Sequence, residues 1–199
     1  MRIDERITIG FALTGSHCTY HDVFAQIEKL VGTKAKVVPI FSQTMQMTST
    51  RFGEAQVWAS RIEELVTTKA IRTIEEAEPL GPSKRLDVLV IAPCTGSTLS
   101  RLARAQTDSP VLMAAKAMMR NDRPVVIAVS TNDGLGLNFM NIAQLMTTKN
   151  LFFVPFGQDD PRGKINSLVA NMELILPTVE AALEKKQYQP VLIERKIPR

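Results

Sequence analysis

Short apolar segments alternate with helical patterns along this 199-residue chain, and this alternation restricts the fold more than any other feature. The apolar segments lie at residues 6–13, 35–41, 87–92, 124–129 and 151–154. Apolar residues at helical spacing occupy 23–31, 55–65, 99–105 and 111–120, and a longer pattern covers 164–185 with a kink or break at Pro177. Strands that are apolar throughout are typical of parallel sheets covered on both faces. The sequence therefore predicts a three-layer αβα fold with a Rossmann-like, doubly wound parallel sheet.

The same pattern predicts one domain over residues 1–199, because the sequence contains no internal repeat and its length suits a single core. Residues 78–85 contain two prolines and a glycine, which predicts a surface loop. Residues 187–199 contain Pro190 and Pro198, and they are predicted to form an extended C-terminal tail.

Composition and charge exclude several classes of protein. No apolar run reaches the roughly 18 residues of a membrane span, and the N-terminal residues lack the apolar region of a signal peptide. The only cysteines, Cys18 and Cys94, suit a reducing cytoplasm better than a disulfide scaffold. The formal charge of +4 includes no dense basic stripe. We therefore expect a cytoplasmic protein that binds neither membrane nor nucleic acid.

Ligand binding is expected at the loops that directly follow strands, since such sheets bind ligands beyond the carboxyl ends of their strands. These loops cover residues 14–18, 41–44, 93–98 and 130–134, and they are rich in serine, threonine and glycine. Backbone N–H groups at helix starts, together with hydroxyls, form sites for anions or phosphate. The same residue types also serve as helix caps and turn formers. Because four loops at one edge share this composition, the sequence favours a ligand site.

Common catalytic and nucleotide-binding motifs are missing from these loops. Residues 10–16 do not match GxGxxG, Ser42 follows the second strand where an acidic residue would contact a ribose, and no P-loop is present. His17 and His21 are the only histidines, so no metal site is predicted. Cys94 has no base in a recognisable pattern and is expected to line a pocket. No catalytic residue can be assigned from these motifs.

The same loops resemble the flavoprotein superfamily, which includes phosphopantothenoylcysteine decarboxylase and the flavin prenyltransferases. The resemblance rests on residues 9–16, 91–103 and 108–115, and it spans roughly residues 7 to 155. It implies a flavoprotein-type αβα fold with bound FMN. By position, it implies Gly15, Ser16, Ser42 and Thr98 at the phosphate and ribityl chain, and Pro93, Cys94 and Thr95 against the ring. The aligned loop residues Ser97, Ser130, Thr131 and Asn132 complete the candidate cofactor-binding set.

This chain departs from the decarboxylases of that superfamily at their catalytic positions. Those enzymes carry a histidine after the second strand, whereas residues 42–58 contain none. The asparagine of their P-A-S-A-N-T loop aligns with Ser97, and their P-x-M-N segment aligns with residues 129–133, which lack the proline and methionine. The resemblance therefore implies a flavin-shaped pocket without the residues for cysteine decarboxylation.

A closer resemblance covers essentially the whole chain. Residues 9–19, 38–42, 91–98, 130–136 and 149–161 are similar to the family of dipicolinate synthase B subunits. That family is implied to act with the Rossmann-type A subunit of dipicolinate synthase in the mother-cell cytoplasm of sporulating bacteria. The pair is implied to oxidise a dihydrodipicolinate-type intermediate of the lysine pathway to dipicolinate, with NADP or NAD bound by the A subunit. The resemblance thus implies an oxidoreductase component that acts on a CH–CH group only together with the A subunit, and the superfamily implies homo-oligomers.

Two interpretations of function stay open at this point. In the first, FMN in the loop cradle or a nicotinamide accepts the hydride, and Arg51, Lys116 or Arg120 contacts the small dicarboxylate substrate. In the second, the chain is a structural or activating component that binds flavin or substrate while the A subunit transfers the hydride. A flavin-dependent decarboxylase or prenyltransferase is disfavoured because the required residues are missing.

Overall fold

Five apolar segments form the parallel part of the central sheet in the computed structural model, which describes residues 2–194. They are β1 (Thr8–Leu13), β2 (Lys36–Phe41), β3 (Val88–Cys94), β4 (Val125–Thr131) and β5 (Leu151–Phe153). Parallel pairing places them in the order β2-β1-β3-β4-β5. Ile9, Val90 and Ile127 in the central strands are completely buried, as expected for a sheet covered on both faces.

Helices cover both faces of this sheet. They are α1 (Tyr20–Gly32), α2 (Gln43–Met47), α3 (Ala55–Val66), α4 (Ile74–Ala77), α5 (Leu80–Ser83), α6 (Gly96–Ala103), α7 (Pro110–Arg120), α8 (Asn138–Met146) and α9 (Ile175–Leu183). Helices α1 and α9 pack against each other and against the sheet, while α6 packs between α7 and α8. The predicted three-layer αβα architecture is confirmed.

The prediction of one long helix over residues 164–185 is wrong. Residues Leu168–Ala170 instead form β7, which pairs antiparallel with the end of β4 and with β6 (Phe156–Gly157). A short 3-10 turn follows, and α9 begins only at Ile175. Pro177 lies in the first turn of α9, where a missing N–H breaks no helical hydrogen bond. A short apolar run is compatible with either a helix or a strand, and here hydrogen-bonded pairing with β4 makes it a strand.

The loop predicted for residues 78–85 contains a turn of helix, because α5 buries Leu80 and Gly81 and packs against α7. Helix α8 likewise follows β4, although the sequence pattern predicts no helix there. Both segments are short, so tertiary packing determines their structure more than local propensity does.

The C-terminal segment runs along the edge of the sheet as far as it is described. The amide side chain of Gln187 accepts from the Phe153 backbone N–H at 2.8 Å and donates to the Phe153 carbonyl at 2.7 Å. Further along, the Phe156 backbone pairs with Val191 and Ile193. The last part of the predicted tail, residues 195–199, lies outside the described residues. No helix in residues 2–194 is both long and apolar enough to cross a membrane.

Candidate functional site

Two adjoining clefts lie at the carboxyl ends of β1 to β4. The first cleft, of about 650 Å³, lies among Ser42, Thr73, Thr98 and Ser109. The second cleft, of about 720 Å³, lies among Ser16, Arg51, Ser130 and Asp133. Both volumes fall within the roughly 300–1,000 Å³ typical of small-molecule sites.

The structure brings most of the predicted cofactor-binding residues together around these clefts. Gly15, Thr95 and Ser97 line both clefts, Ser42 and Thr98 line the first, and Ser16, Ser130, Thr131 and Asn132 line the second. This proximity agrees with the prediction that the loops after the parallel strands meet at one edge of the sheet. Their role as flavin ligands stays a prediction.

Pro93 and Cys94 do not line either cleft, contrary to the expectation that they lie against a ligand ring. The strand predicted to end at residue 92 continues to Cys94, which pairs with Val129 of β4. The Cys94 side chain is completely buried, and this burial raises the pKa of its thiol. The loop that faces the clefts therefore begins at Thr95.

The burial of Cys94 predicts a difference in thiol reactivity. In native protein, Cys18 is exposed and is expected to react quickly with a disulfide reagent such as Ellman's reagent, whereas Cys94 reacts only after unfolding. Counting thiols per chain before and after adding urea measures this. In a Cys18→Ser control the rapid phase should vanish. Rapid reaction of both thiols in the native protein would contradict the buried position of Cys94.

Thr14 joins the loops after β1 and β3 to each other. Its hydroxyl donates to the Pro93 carbonyl at 2.6 Å and accepts from the Thr95 backbone N–H at 3.1 Å. The Thr14 carbonyl in turn accepts from the buried Tyr20 hydroxyl at 2.8 Å. Burial raises the pKa of Tyr20, so this phenol stays protonated and remains a donor. These bonds hold the backbone of both loops in one arrangement at the floor of the clefts.

Gly15 allows the loops after β1 and β2 to approach each other closely. A Cβ atom at this position would lie 2.5 Å from Cγ2 of Thr44, which is closer than any real contact. The backbone N–H of Ser42 also donates to the Leu13 carbonyl at 3.0 Å. A side chain at position 15 would therefore force these two loops apart.

Hydroxyl side chains cap the helices that begin at the first cleft. Thr95 accepts from the Thr98 backbone N–H at 3.3 Å at the start of α6, and Ser109 accepts from Leu112 at 3.2 Å at the start of α7. Ser42 caps α2 by accepting from Met45 at 3.2 Å. The serine and threonine residues of these loops thus act as helix caps and also border a possible ligand site, since the capped first turns line the first cleft. Their free N–H groups and the helix dipoles of α6 and α7 favour an anion there.

Arg51 reaches the second cleft on a turn that is anchored to α3. Trp58 Nε1 donates to the Phe52 carbonyl at 3.1 Å, and the Arg51 guanidinium lies 4.9 Å from the centre of the Phe52 ring. Of the three cations suggested for a dicarboxylate, only Arg51 lines this cleft. Lys116 and Arg120 line a separate cavity beside α5 and α7.

Asp133 occupies the wall of the second cleft and is not among the site residues predicted from sequence. It accepts hydrogen bonds from the Thr131 hydroxyl and from Asn138 Nδ2, the latter at 3.0 Å to Oδ1 and 2.8 Å to Oδ2. Gly96 packs against this cluster, because a Cβ there would lie 2.6 Å from Asn138 Nδ2 and 2.8 Å from Asp133 Oδ1. The sequence offers one signal for Asp133, namely its position in the loop that follows β4.

The two histidines face aromatic rings. His17 packs on Tyr20 with ring centres 4.8 Å apart, and His21 packs on Trp58 at 4.9 Å. Within residues 2–194, no three or more histidine, cysteine, aspartate or glutamate side chains are grouped to hold a metal ion.

Comparison with known proteins agrees with this architecture. The profile of the Flavoprotein family matches residues 2–177. The chain is 58% identical over 186 residues to the B subunit of dipicolinate synthase from Bacillus subtilis (strain 168), covering 94% of this chain and 93% of that protein. The crystal structure of the corresponding dipicolinate synthase B subunit from Bacillus halodurans C superposes with a TM-score of 0.90 at 53% identity, covering 98% and 100% of the two chains.

A more distant structure shares the fold alone. Cypemycin decarboxylase CypD superposes with a TM-score of 0.64 at 19% identity, covering 89% of this chain and 94% of that chain. Together with the family match and the close relatives, this fold places the sequence in one group: the chain belongs to the flavoprotein family and, within it, to the family of dipicolinate synthase B subunits.

Proposed function

We propose that this chain acts as the B subunit of a dipicolinate synthase. With an A subunit, it oxidises a CH–CH group of a dihydrodipicolinate-type intermediate to give dipicolinate, and the electrons pass through FMN or directly to NADP or NAD on the A subunit. The observation that carries this proposal is the pair of adjoining, hydroxyl-lined clefts in a chain 58% identical to the B. subtilis protein.

The residues of the first cleft fit the phosphate and ribityl chain of FMN. Gly15 carries no Cβ at the point where two loops converge, and Ser42 and Thr98 present hydroxyls beside capped helix starts. These groups would bind the anionic phosphate through backbone N–H and hydroxyl donors. The shared residues Thr95 and Ser97 would let one ligand extend into the second cleft. When bound, the flavin supplies a two-electron acceptor.

Arg51 is proposed to bind one carboxylate of the substrate in the second cleft. Among residues 2–194 it contacts the Phe52 ring and forms no ion pair. A guanidinium stacked on an aromatic ring keeps its edge free for two parallel hydrogen bonds to a carboxylate. Its task is to bind and orient the ring of the substrate beside the shared wall of the clefts.

An exposed apolar surface supports assembly with other chains. Leu135 and Leu137, directly before α8, are 42% and 91% exposed, and Phe139 and Met140 in its first turn are 53% and 79% exposed. Residues 134–148 contain no charged side chain. Apolar patches of this kind usually mark interfaces. We propose contacts with the A subunit and with further copies of this chain, in the cytoplasm of a sporulating mother cell.

The alternative is a non-catalytic role in which this chain binds flavin or substrate while the A subunit transfers the hydride. It rests on the sequence, because residues 42–58 lack the histidine that the related decarboxylases carry after the second strand. The two proposals differ in whether changes in these clefts slow turnover or only weaken assembly.

Reconstitution with the A subunit tests both proposals. We expect the purified chain to show the absorption of oxidised flavin, or to gain about 2.7 kcal/mol of stability with FMN at 100 times its Kd. The pair is expected to oxidise the dihydrodipicolinate-type substrate, with the flavin bleached under anaerobic conditions. The flavin proposal would be contradicted if the purified chain were colourless and its fluorescence and melting temperature did not change when FMN is added. Turnover without flavin would instead show that the electrons pass directly to NADP or NAD on the A subunit.

A further inference from the structure

We propose that Asp133 is the catalytic residue that accepts the proton released during oxidation of the substrate ring. This assignment rests on the proposed function, and it concerns one side chain of the second cleft. The reaction requires a base, and hydrogen bonds hold this carboxylate in a fixed position beside the second cleft.

Oxidation of a dihydropyridine to a pyridine needs a base as well as an oxidant. One C–H bond breaks and its hydrogen leaves with both electrons as hydride, which reduces the oxidised flavin or nicotinamide. A second C–H bond breaks, and its electron pair completes the aromatic ring while its proton goes to a base. Removing this proton in place is general base catalysis, which requires an acceptor beside the ring.

The other groups that line the second cleft are poorer acceptors. Lys164 as an ammonium has no lone pair, and the exposed Cys18 thiol is a weak acceptor. Asp159 lies 3.4 Å from Lys164 Nζ. Burial acts to raise the pKa of Asp159, but hydrogen bonding and the charge of Lys164 lower it overall. Its Oδ1 atom is buried without a hydrogen-bond partner among the described residues, so a ligand in the cleft cannot reach it, and its Oδ2 atom faces Lys164.

Asp133 is fixed in position and keeps a free acceptor site. Among residues 2–194, Oδ1 accepts from both the Thr131 hydroxyl and Asn138 Nδ2, whereas Oδ2 accepts only from Asn138 Nδ2, at 2.8 Å. A carboxylate offers about four acceptor sites, so Oδ2 can still receive a proton. The amide of Asn138 is 7% exposed and is itself fixed by Asn141 Nδ2, which donates to its Oδ1 at 2.9 Å. Gly96 leaves room for this arrangement beside the first turn of α6.

Asp133 also has a route for passing the proton to solvent. Besides the second cleft, it lines a further surface cavity of about 880 Å³ that contains Ser100, Arg104 and Asn141. The carboxylate thus stands between a cleft that can hold substrate and a second opening. A proton taken up from the ring on one side can leave to water on the other.

Chemical rescue in the reconstituted pair tests this assignment. Asp133→Asn and Asp133→Ala are expected to lower kcat by about 10²- to 10⁴-fold, the usual share of a general base, with flavin affinity nearly unchanged. Adding formate or acetate should raise the kcat of Asp133→Ala at least about tenfold, because a small carboxylate can occupy the vacated space and accept the proton. Asp22→Asn is the control, since it removes the same charge from an exposed position on α1 that lines neither cleft, and we expect its kcat to stay within about threefold of wild type.

Each outcome decides the matter. Loss of turnover that formate restores supports the assignment, whereas full activity of Asp133→Ala overturns it. Slow turnover without rescue by formate also overturns it, since a merely structural role predicts that result. If the wild-type pair does not oxidise the substrate at all, the proposed function fails and this assignment fails with it.

Discussion

Replacing Thr14 by valine is expected to lower the free energy of unfolding by about 2–4 kcal/mol. Valine has nearly the same shape but can neither donate nor accept, so the Pro93 carbonyl and the Thr95 N–H both lose their partner. Thr14 is 1% exposed, and water cannot readily replace the hydroxyl. An unsatisfied buried group costs about 1–3 kcal/mol, and two are created here. Urea denaturation monitored by circular dichroism measures the change.

Thr14→Ser is the control for this prediction, because it keeps the hydroxyl and removes only a methyl group. We expect it to cost about 1 kcal/mol. If Thr14→Val should also disturb the clefts, FMN affinity will fall along with stability, since the Thr95 loop borders both clefts. Equal stability of Thr14→Val and Thr14→Ser would show that the hydroxyl does not join the two loops.

The Thr14 bridge illustrates what sequence reasoning can and cannot predict. Continuous apolar strands are enough to predict the parallel sheet, and parallel strands bring their carboxyl ends to one edge, which locates the four loops. The bridge itself joins residues 79 positions apart, and no local pattern encodes it. The predicted end of β3 is two residues short for the same reason, because pairing of Cys94 with Val129 extends the strand past a proline.

Asp133 escapes prediction because its environment is assembled from three elements. The loop after β4 supplies the carboxylate, α8 supplies Asn138, and Gly96 at the start of α6 supplies the space. Local sequence shows only an aspartate in a turn, which is its commonest role. The wrong helix prediction for residues 164–185 has a similar origin, since β7 is a strand only because β4 and β6 provide partners.

Replacing Ser42 by aspartate is expected to weaken FMN binding at least 100-fold and to abolish turnover of the pair at limiting FMN. A carboxylate about 4 Å from a phosphate charge costs roughly 4 kcal/mol at an effective dielectric constant of 20, which exceeds a 100-fold loss of affinity. The fold should tolerate the change, because Ser42 caps α2 through Met45 and aspartate is an equally good cap. Fluorescence titration with FMN measures the affinity.

Ser42→Asn separates charge from shape in this experiment. Asparagine has the size of aspartate and also caps helices, so its melting temperature should match that of Ser42→Asp while its FMN affinity stays much closer to wild type. Ser42 is half-buried, lines the first cleft and lies beside the loop that carries Gly15. A lower FMN affinity of Ser42→Asp than of Ser42→Asn would therefore be due to repulsion between the aspartate and the phosphate. If both variants bind FMN equally and the pair with Ser42→Asp turns over normally, the phosphate does not lie in the first cleft, and the structural role of this chain becomes the better account.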